Sequence, residues 1–306
     1  MKNKYRLSSG IFEREKEEEK VDIEKIFFLS VEGNATEKEY FNGISEHRAE
    51  LGMNAKIDVE VLRRSSRDTG SAPKQVVELL EEYISLRELG REHLIEEIPE
   101  EFVNAYGIDF IRKYLDNPED IPKKKRNSFV TDLMKLGYNI NYRKYLSKYN
   151  SKLDEFCILI DRDKDAHSKV NMMECIKYCK KRGFKCFIAN PCFEFWLLLH
   201  LSDVEKEYGD KLDLIKENPK VSLNHTFVSK EVSEKACHGK SGIHFVKNYM
   251  PFVDKAIQRA KRMPADETEL VDMIGCNIWK LPADEEKLNL VIYWQEKYGI
   301  ISRDIK

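Results

Sequence analysis

Apolar and polar positions along the 306-residue chain fall into two alternating kinds of pattern. Short unbroken apolar runs bounded by charge read as strands buried on both faces, as inside a parallel sheet. Lys25-Ile26-Phe27-Phe28-Leu29-Ser30-Val31, Phe156-Cys157-Ile158-Leu159-Ile160 and Phe184-Lys185-Cys186-Phe187-Ile188-Ala189 are such runs. Lys56–Leu62 instead sets Ile57, Val59 and Val61 against Lys56, Asp58 and Glu60, which predicts a strand with one wet face near a sheet edge. Between the runs the spacing becomes helical. One helix extends from the first strand's turn to about Gly52, with Thr36 and Glu39 at capping-box spacing. Pro73 opens another over Lys74–Leu89, with Val76, Val77, Leu80 and Ile84 on its stripe. A third, Val170–Arg182, stops at Gly183. Asn190-Pro191 supplies an N-cap and a first helical position for Phe193–Leu201, which is apolar almost all round and therefore buried. After Ser202 the strand signals stop, and Val204–Glu217, Ile243–Arg262, Glu267–Ile274 and Glu285–Glu296 read as helices joined by polar linkers.

Strands alternating with helices predict an α/β fold, a mostly parallel sheet flanked by helices. Residues 23–89 and 151–201 carry that pattern and form the expected core. Residues 1–22 read as a polar arm. Residues 90–150, broken by Pro99, Pro118 and Pro122, read as a helical insertion, and residues 202–306 as a helical C-terminal region.

Composition narrows the function classes. With 42% hydrophobic and 35% charged residues the chain is a soluble globular type, and a net charge of −2 excludes a general polyanion binder. Any nucleic-acid contact must therefore come from local basic patches. No apolar run approaches the ~20 residues of a membrane span, and the N-terminus has no apolar segment of a secretory signal. Seven unevenly spread cysteines fit reduced thiols, so a cytoplasmic location is expected.

The chemistry gathers where strands end. Ligands of open α/β sheets sit outside the carboxyl ends of the strands, and there Asp161, Asp163 and Asp165 alternate with Arg162 and Lys164. Asp161 and Asp163, two apart on an extended chain, point the same way and repel unless a cation lies between them. They are candidate ligands for Mg²⁺. A calcium loop is rejected, because its Gly and Glu positions hold Ala166 and Met172. Asp165 is a candidate third ligand, or the cap of the helix that follows. Glu32 ends the first strand before Gly33 and is a candidate ligand or general acid/base, against the simpler reading of an exposed turn acid. Glu194, in the first turn of the apolar helix, either complements the helix dipole or joins the acids. His200 reads as a hydrogen-bonded core residue.

Basic residues lie in three places. Arg63, Arg64 and Arg67 follow the second strand and are either solvated or forks for phosphate. Lys123, Lys124, Lys125 and Arg126 stand near Tyr138, Tyr142, Tyr145 and Tyr149, a mixture that either grips a nucleic-acid strand by charge and stacking or simply solvates a helical appendage. Lys164 lies among the aspartates. Gly239-Lys240-Ser241 fails as a phosphate loop because Glu234 stands where the earlier Gly is required. Cys237, His238 and His244 lack a fourth ligand at zinc spacing.

Three strings carry a family resemblance: Val31-Glu32-Gly33 with Thr36-Glu37-x-x-Tyr40-Phe41, Ile160-Asp161-Arg162-Asp163, and Asn190-Pro191-Cys192-Phe193-Glu194-Phe195-Trp196-Leu197-Leu198-Leu199-His200. In this order they resemble the motifs of the RloB-like family, a Toprim-like group often encoded with restriction or abortive-infection systems. The resemblance covers about 25–89 and 155–262 and implies a Toprim-like Rossmannoid fold. It carries Glu32, Asp161, Asp163 and Glu194 over as functional positions. It further implies a Mg²⁺- or Mn²⁺-dependent nuclease acting on DNA or RNA as a toxic anti-phage effector, with a partner ATPase of the ABC/AAA kind. Two rivals remain: a non-catalytic module that binds nucleic acid or the ATPase, and a haloacid-dehalogenase-like phosphatase with Asp161 as nucleophile. The latter family normally carries its motif on the first strand.

Overall fold

The computed structural model describes residues 25–33, 35–48, 50–51, 57–61, 72–96, 98–135, 154–236 and 242–281. One sheet runs in the spatial order β2-β1-β3-β4-β5. β1 (Lys25–Val31), β2 (Ile57–Val61), β3 (Glu155–Asp161) and β4 (Lys185–Asn190) are parallel, and the two-residue β5 (Gly275–Cys276) is antiparallel to β4. The helices in chain order are α1 (Thr36–Glu46), α2 (Pro73–Glu96), α3 (Glu100–Tyr106), α4 (Ile108–Asp116), α5 (Lys123–Lys135), α6 (Lys169–Arg182) and α7 (Phe193–Leu201). They continue with α8 (Val204–Glu207), α9 (Leu212–Glu217), α10 (Phe227–Lys235), α11 (Phe245–Asn248) and α12 (Val253–Ala260). The fold is the expected α/β type, a mostly parallel sheet flanked by helices.

The unbroken apolar runs follow from burial on both faces, with the strand period of two dividing each run. Phe27, Leu29, Val31, Cys157, Leu159, Phe187 and Ala189 enter one core with α1, α7, α10 and α12. Ile26, Phe28, Ile158, Ile160, Cys186 and Ile188 enter a second core with α2 and α6. Asp161 continues the parity of Cys157 and Leu159, which directs it to the α1 and α7 side. His200 is buried in the first core, as expected. It is neutral there, since burial pushes its ring down to about 3. The Nδ1 atom lies 2.9 Å from the Trp196 carbonyl, so it carries the proton, and Nε2 accepts from the Tyr40 hydroxyl at 3.1 Å.

A third core lies within 95–133, where Ile95, Ile111, Tyr114, Phe129 and Leu133 pack together. The expected end of α2 at Leu89 is corrected, because the helix continues through Gly90 to Glu96 and joins that core to the sheet. A single helical Gly costs only about 1 kcal/mol, less than the packing of Ile84 and Ile95 on either side supplies.

Other expected elements are also revised. α1 ends at Glu46, before Gly52. Val204–Glu217 divides into α8, a 3-10 turn and α9. Ile243–Arg262 breaks at Met250–Phe252, where Pro251 has no backbone N–H to give. Glu267–Ile274 forms only a 3-10 turn at Glu269–Val271 before β5, so a strand does occur after Ser202. Among the described residues no helix is long and apolar enough to cross a membrane. Residues 1–22, the four tyrosines at 138–149, and the expected Glu285–Glu296 helix lie outside the described residues.

Candidate active site

The carboxyl edge of the parallel strands is where the acids meet. β1 delivers Glu32 and β3 delivers Asp161, and the two touch: the Asp161 backbone N–H donates to Glu32 Oε2 at 3.1 Å. The other Glu32 oxygen, Oε1, lies 3.0 Å from His167 Nε2. That hydrogen bond raises the His167 ring above its ordinary value. His167 is buried and held from behind by a neighbouring cation. Buried Arg162 donates from Nη1 to the His167 carbonyl (2.7 Å) and from Nε to the Val271 carbonyl (2.5 Å). Arg162 thus fixes the loop that carries Asp161, Asp163 and His167 against the chain leading into β5.

Glu37 and Glu194 complete the cluster. Glu37 lies in the first turn of α1, and its Oε1 accepts the Gly33 N–H at 3.1 Å. A Cβ at residue 33 would lie 2.3 Å from Glu37 Oε2, so a larger residue there would push the Glu37 carboxylate out of this contact. Burial pushes Glu37 up to about 7, with repulsion from Glu194 and Glu32 adding to it. Asp161 is held well above the carboxylate range by burial, then by Glu32, Glu194 and Glu37, although the Phe193 N–H at the start of α7 pulls the other way. Four carboxyl groups from β1, α1, β3 and α7 therefore feel one another at a single rim.

The expected capping box at Thr36 is absent: Ala35 is the cap residue, and the Glu39 carboxylate instead accepts the Ile243 N–H at 2.8 Å. Asn190 likewise does not cap α7. It ends β4 with its Nδ2 donating to the Leu270 carbonyl, and Cys192 takes the cap position. Ser168, rather than Asp165, caps α6 by accepting the Asn171 N–H. Glu194 does sit in the first turn of α7, half-buried.

Asp163 lies beyond the end of β3, its N–H donating to the Pro191 carbonyl at 3.0 Å. Its exposed carboxylate turns along the loop, where Oδ1 accepts from the N–H groups of Asp165 and Ala166. Asp165 is exposed beside it. Asp161, Asp163, Asp165 and Glu194 all line one open cleft of about 800 Å³. The lining also includes Lys216, Asn218, Lys220, His225, Thr226 and Ser229 from the α9–α10 region. Lys164 also lines the cleft, its Nζ 3.1 Å from Glu217 Oε1. Lys123, Lys124, Lys125 and Arg126 occupy the first turn of α5 and are not among the residues lining the cleft. Arg63, Arg64, Arg67, Cys237 and His238 lie outside the described residues, and His244 is exposed before α11.

Among the described residues, no group of three or more Asp, Glu, His or Cys side chains is placed to hold a metal ion together. The donor set nevertheless suits magnesium, which uses one or two carboxylates and retains waters rather than needing an all-protein cage. All the acids at the rim offer hard oxygen donors, and the upward displacement of Asp161 and Glu37, owed first to burial and then to the neighbouring carboxylates, is one that a cation would offset. Sequence reasoning missed Glu37, His167 and the α9–α10 wall. Glu37 had a signal, since it stands four residues after the strand-end Gly33, where a helical first turn reaches back.

No curated protein and no solved structure matches the chain. A family model described as RloB-like protein matches residues 27–282, a span that takes in Glu32, Asp161, Glu194 and the whole cleft. The chain belongs to the RloB-like protein family.

Proposed function

We propose that the protein is a divalent-metal-dependent nuclease that hydrolyses phosphodiester bonds of DNA or RNA on a Toprim-like core. The observation that carries this reading is the convergence of Glu32, Glu37, Asp161 and Glu194 at one sheet edge, beside an open cleft that lysines also line. Asp161 and Glu194 would hold Mg²⁺ or Mn²⁺, with Asp163 within the same cleft as a further donor. A bound divalent ion supplies Lewis-acid relief of the charge that builds on a phosphoryl oxygen. Glu32 is oriented from two sides, by the Asp161 N–H and by His167, which fits a group whose carboxylate must be aimed. Glu37, pushed up to about 7 by burial, stands behind the rim and adds to the acids around Asp161. Lys164, Lys216 and Lys220 place positive charge where a polyanion would lie.

A role as toxic effector of an anti-phage abortive-infection system, under control of an ABC/AAA-type ATPase, extends this reading on the strength of family membership and the motifs quoted above. The test is direct. Purified protein is incubated with plasmid DNA and with tRNA, with Mg²⁺, Mn²⁺ or EDTA, alongside Asp161→Asn and Glu32→Gln. Metal-dependent cleavage lost by at least 100-fold in both variants is expected. Cleavage undiminished in both, or absent from wild-type protein on every nucleic acid and metal, removes the nuclease assignment.

A further inference from the structure

Within the lining of the same cleft, the chain between α9 and α10 forms a small pinned hairpin. Lys220 bridges Thr226 in antiparallel fashion, and the N–H groups of Val221 and Ser222 both donate to the His225 carbonyl at 2.9 and 3.1 Å. Its base is closed by the Phe227 N–H on the Pro219 carbonyl at 2.8 Å. Asn218, in the left-handed region at φ 42, takes the Val228 N–H on Oδ1 and reaches Cys192 Sγ with Nδ2 at 3.4 Å. Cys192 immediately precedes α7, so this last contact ties the hairpin to the helix that carries Glu194.

On this fixed support the tip presents apolar side chains to solvent: Leu223 is 85% exposed and Val221 44%. Single exposed leucines are ordinary on protein surfaces. This one stands on a hairpin held by several backbone hydrogen bonds, between Lys220 and Asn224, which both line the cleft. Apolar side chains on rigid supports, flanked by cations, are the means by which proteins pry apart neighbouring bases. A strand whose phosphates follow Lys216 and Lys220 would bring its bases to the tip.

We infer that the 219–226 hairpin is a wedge, and that Leu223 inserts between bases of a nucleic-acid strand lying in the cleft, opening the stack beside the bond presented to the acids. This rests on the nuclease reading and adds to it the conformation of the substrate, an unstacked strand. Leu223 is here a specificity and positioning residue, remote from the reacting atoms.

The test uses the full-length Asp161→Asn protein, so that substrate survives, and duplexes of DNA and of RNA containing 2-aminopurine at successive positions. Binding is followed by anisotropy and unstacking by 2-aminopurine fluorescence. A several-fold rise at one or two positions is expected on binding. That rise should fall to the level of free duplex when Leu223→Ala is added, while affinity drops no more than about tenfold and thermal stability is unchanged. Lys216→Ala with Lys220→Ala should weaken binding on every sequence and reduce the salt dependence by a slope of about 1–2. Binding with no fluorescence rise, or a rise that Leu223→Ala leaves intact, overturns the wedge and spares the nuclease reading; the exposed leucine then belongs to a protein contact. No binding to any nucleic acid by wild-type or variant protein overturns both.

Discussion

Replacing Glu37 by Gln probes the crowding of acids without touching a group proposed to hold metal. The carboxyl is 6% exposed, and its rise from an ordinary 4.5 to about 7 comes from burial first, then from Glu194 and Glu32. At about 1.36 kcal/mol for each pH unit, that rise corresponds to about 3 kcal/mol. The sign follows from linkage. A carboxyl whose folded value lies above its unfolded value binds more protons when folded, so stability falls as pH rises from about 4.5 to about 7. Below that window Glu37 and a glutamine are both neutral, and the Gly33 N–H keeps an oxygen acceptor in either case. Above it, ionised Glu37 lowers stability and glutamine does not. In EDTA, urea denaturation of the two proteins should therefore give similar midpoints near pH 4 and a gap of about 3 kcal/mol in favour of Glu37→Gln at pH 8. A divalent cation should narrow the pH 8 gap by relieving the repulsion. A gap that is constant from pH 4 to pH 8 would refute the claim that burial and neighbouring acids raise this carboxyl's affinity for its proton.

Two further substitutions test the supports of the site. Tyr40→Phe leaves buried His200 Nε2 without its hydroxyl donor and should cost about 1–3 kcal/mol of stability by chemical denaturation; a loss under 0.5 kcal/mol would argue against the assigned tautomer. Arg162→Met strips the donors from the carbonyls of His167 and Val271 and should cost about 2–4 kcal/mol. The same change should increase hydrogen exchange across 163–168 and 270–272 more than in β1, and uniform exchange would show that Arg162 is not the strap between these segments.

Much of this arrangement was legible in the residues. The apolar runs at Lys25–Val31 and Phe156–Ile160 had to be interior strands, and a parallel order put Glu32 and Asp161 on one edge. The structure puts the Asp161 backbone N–H 3.1 Å from a Glu32 carboxylate oxygen. The motif strings led to the family that the chain belongs to. What local patterns could not show was which of several nearby polar groups would win each partner. Thr36 and Glu39 had capping-box spacing, yet Glu39 is drawn to the Ile243 N–H more than 200 residues away, and Glu37 takes the local role. Asn190 looked like a cap, but a buried carbonyl at Leu270 claims its amide.

Strand β5 was hidden for another reason. Two residues cannot show a period, and its place is fixed by the Asn277 side chain, which accepts from the Ile188 N–H at 2.7 Å and donates to the Cys186 carbonyl at 3.1 Å. An asparagine thereby satisfies the edge of β4 as a further strand residue would. The α9–α10 wall of the cleft was equally invisible, because its polar residues carry no motif and acquire meaning only by lining the same cleft as the acids.

The central claim is that the acids at the sheet edge form a seat for one or more divalent ions. Isothermal titration of Mn²⁺ into wild-type protein and Asp161→Asn at pH 7.5 tests it most directly. The account predicts saturable binding to wild-type protein, accompanied by a rise in melting temperature, and loss of both in Asp161→Asn. Equal binding by the two proteins, or none by wild-type protein at millimolar Mn²⁺, would contradict it.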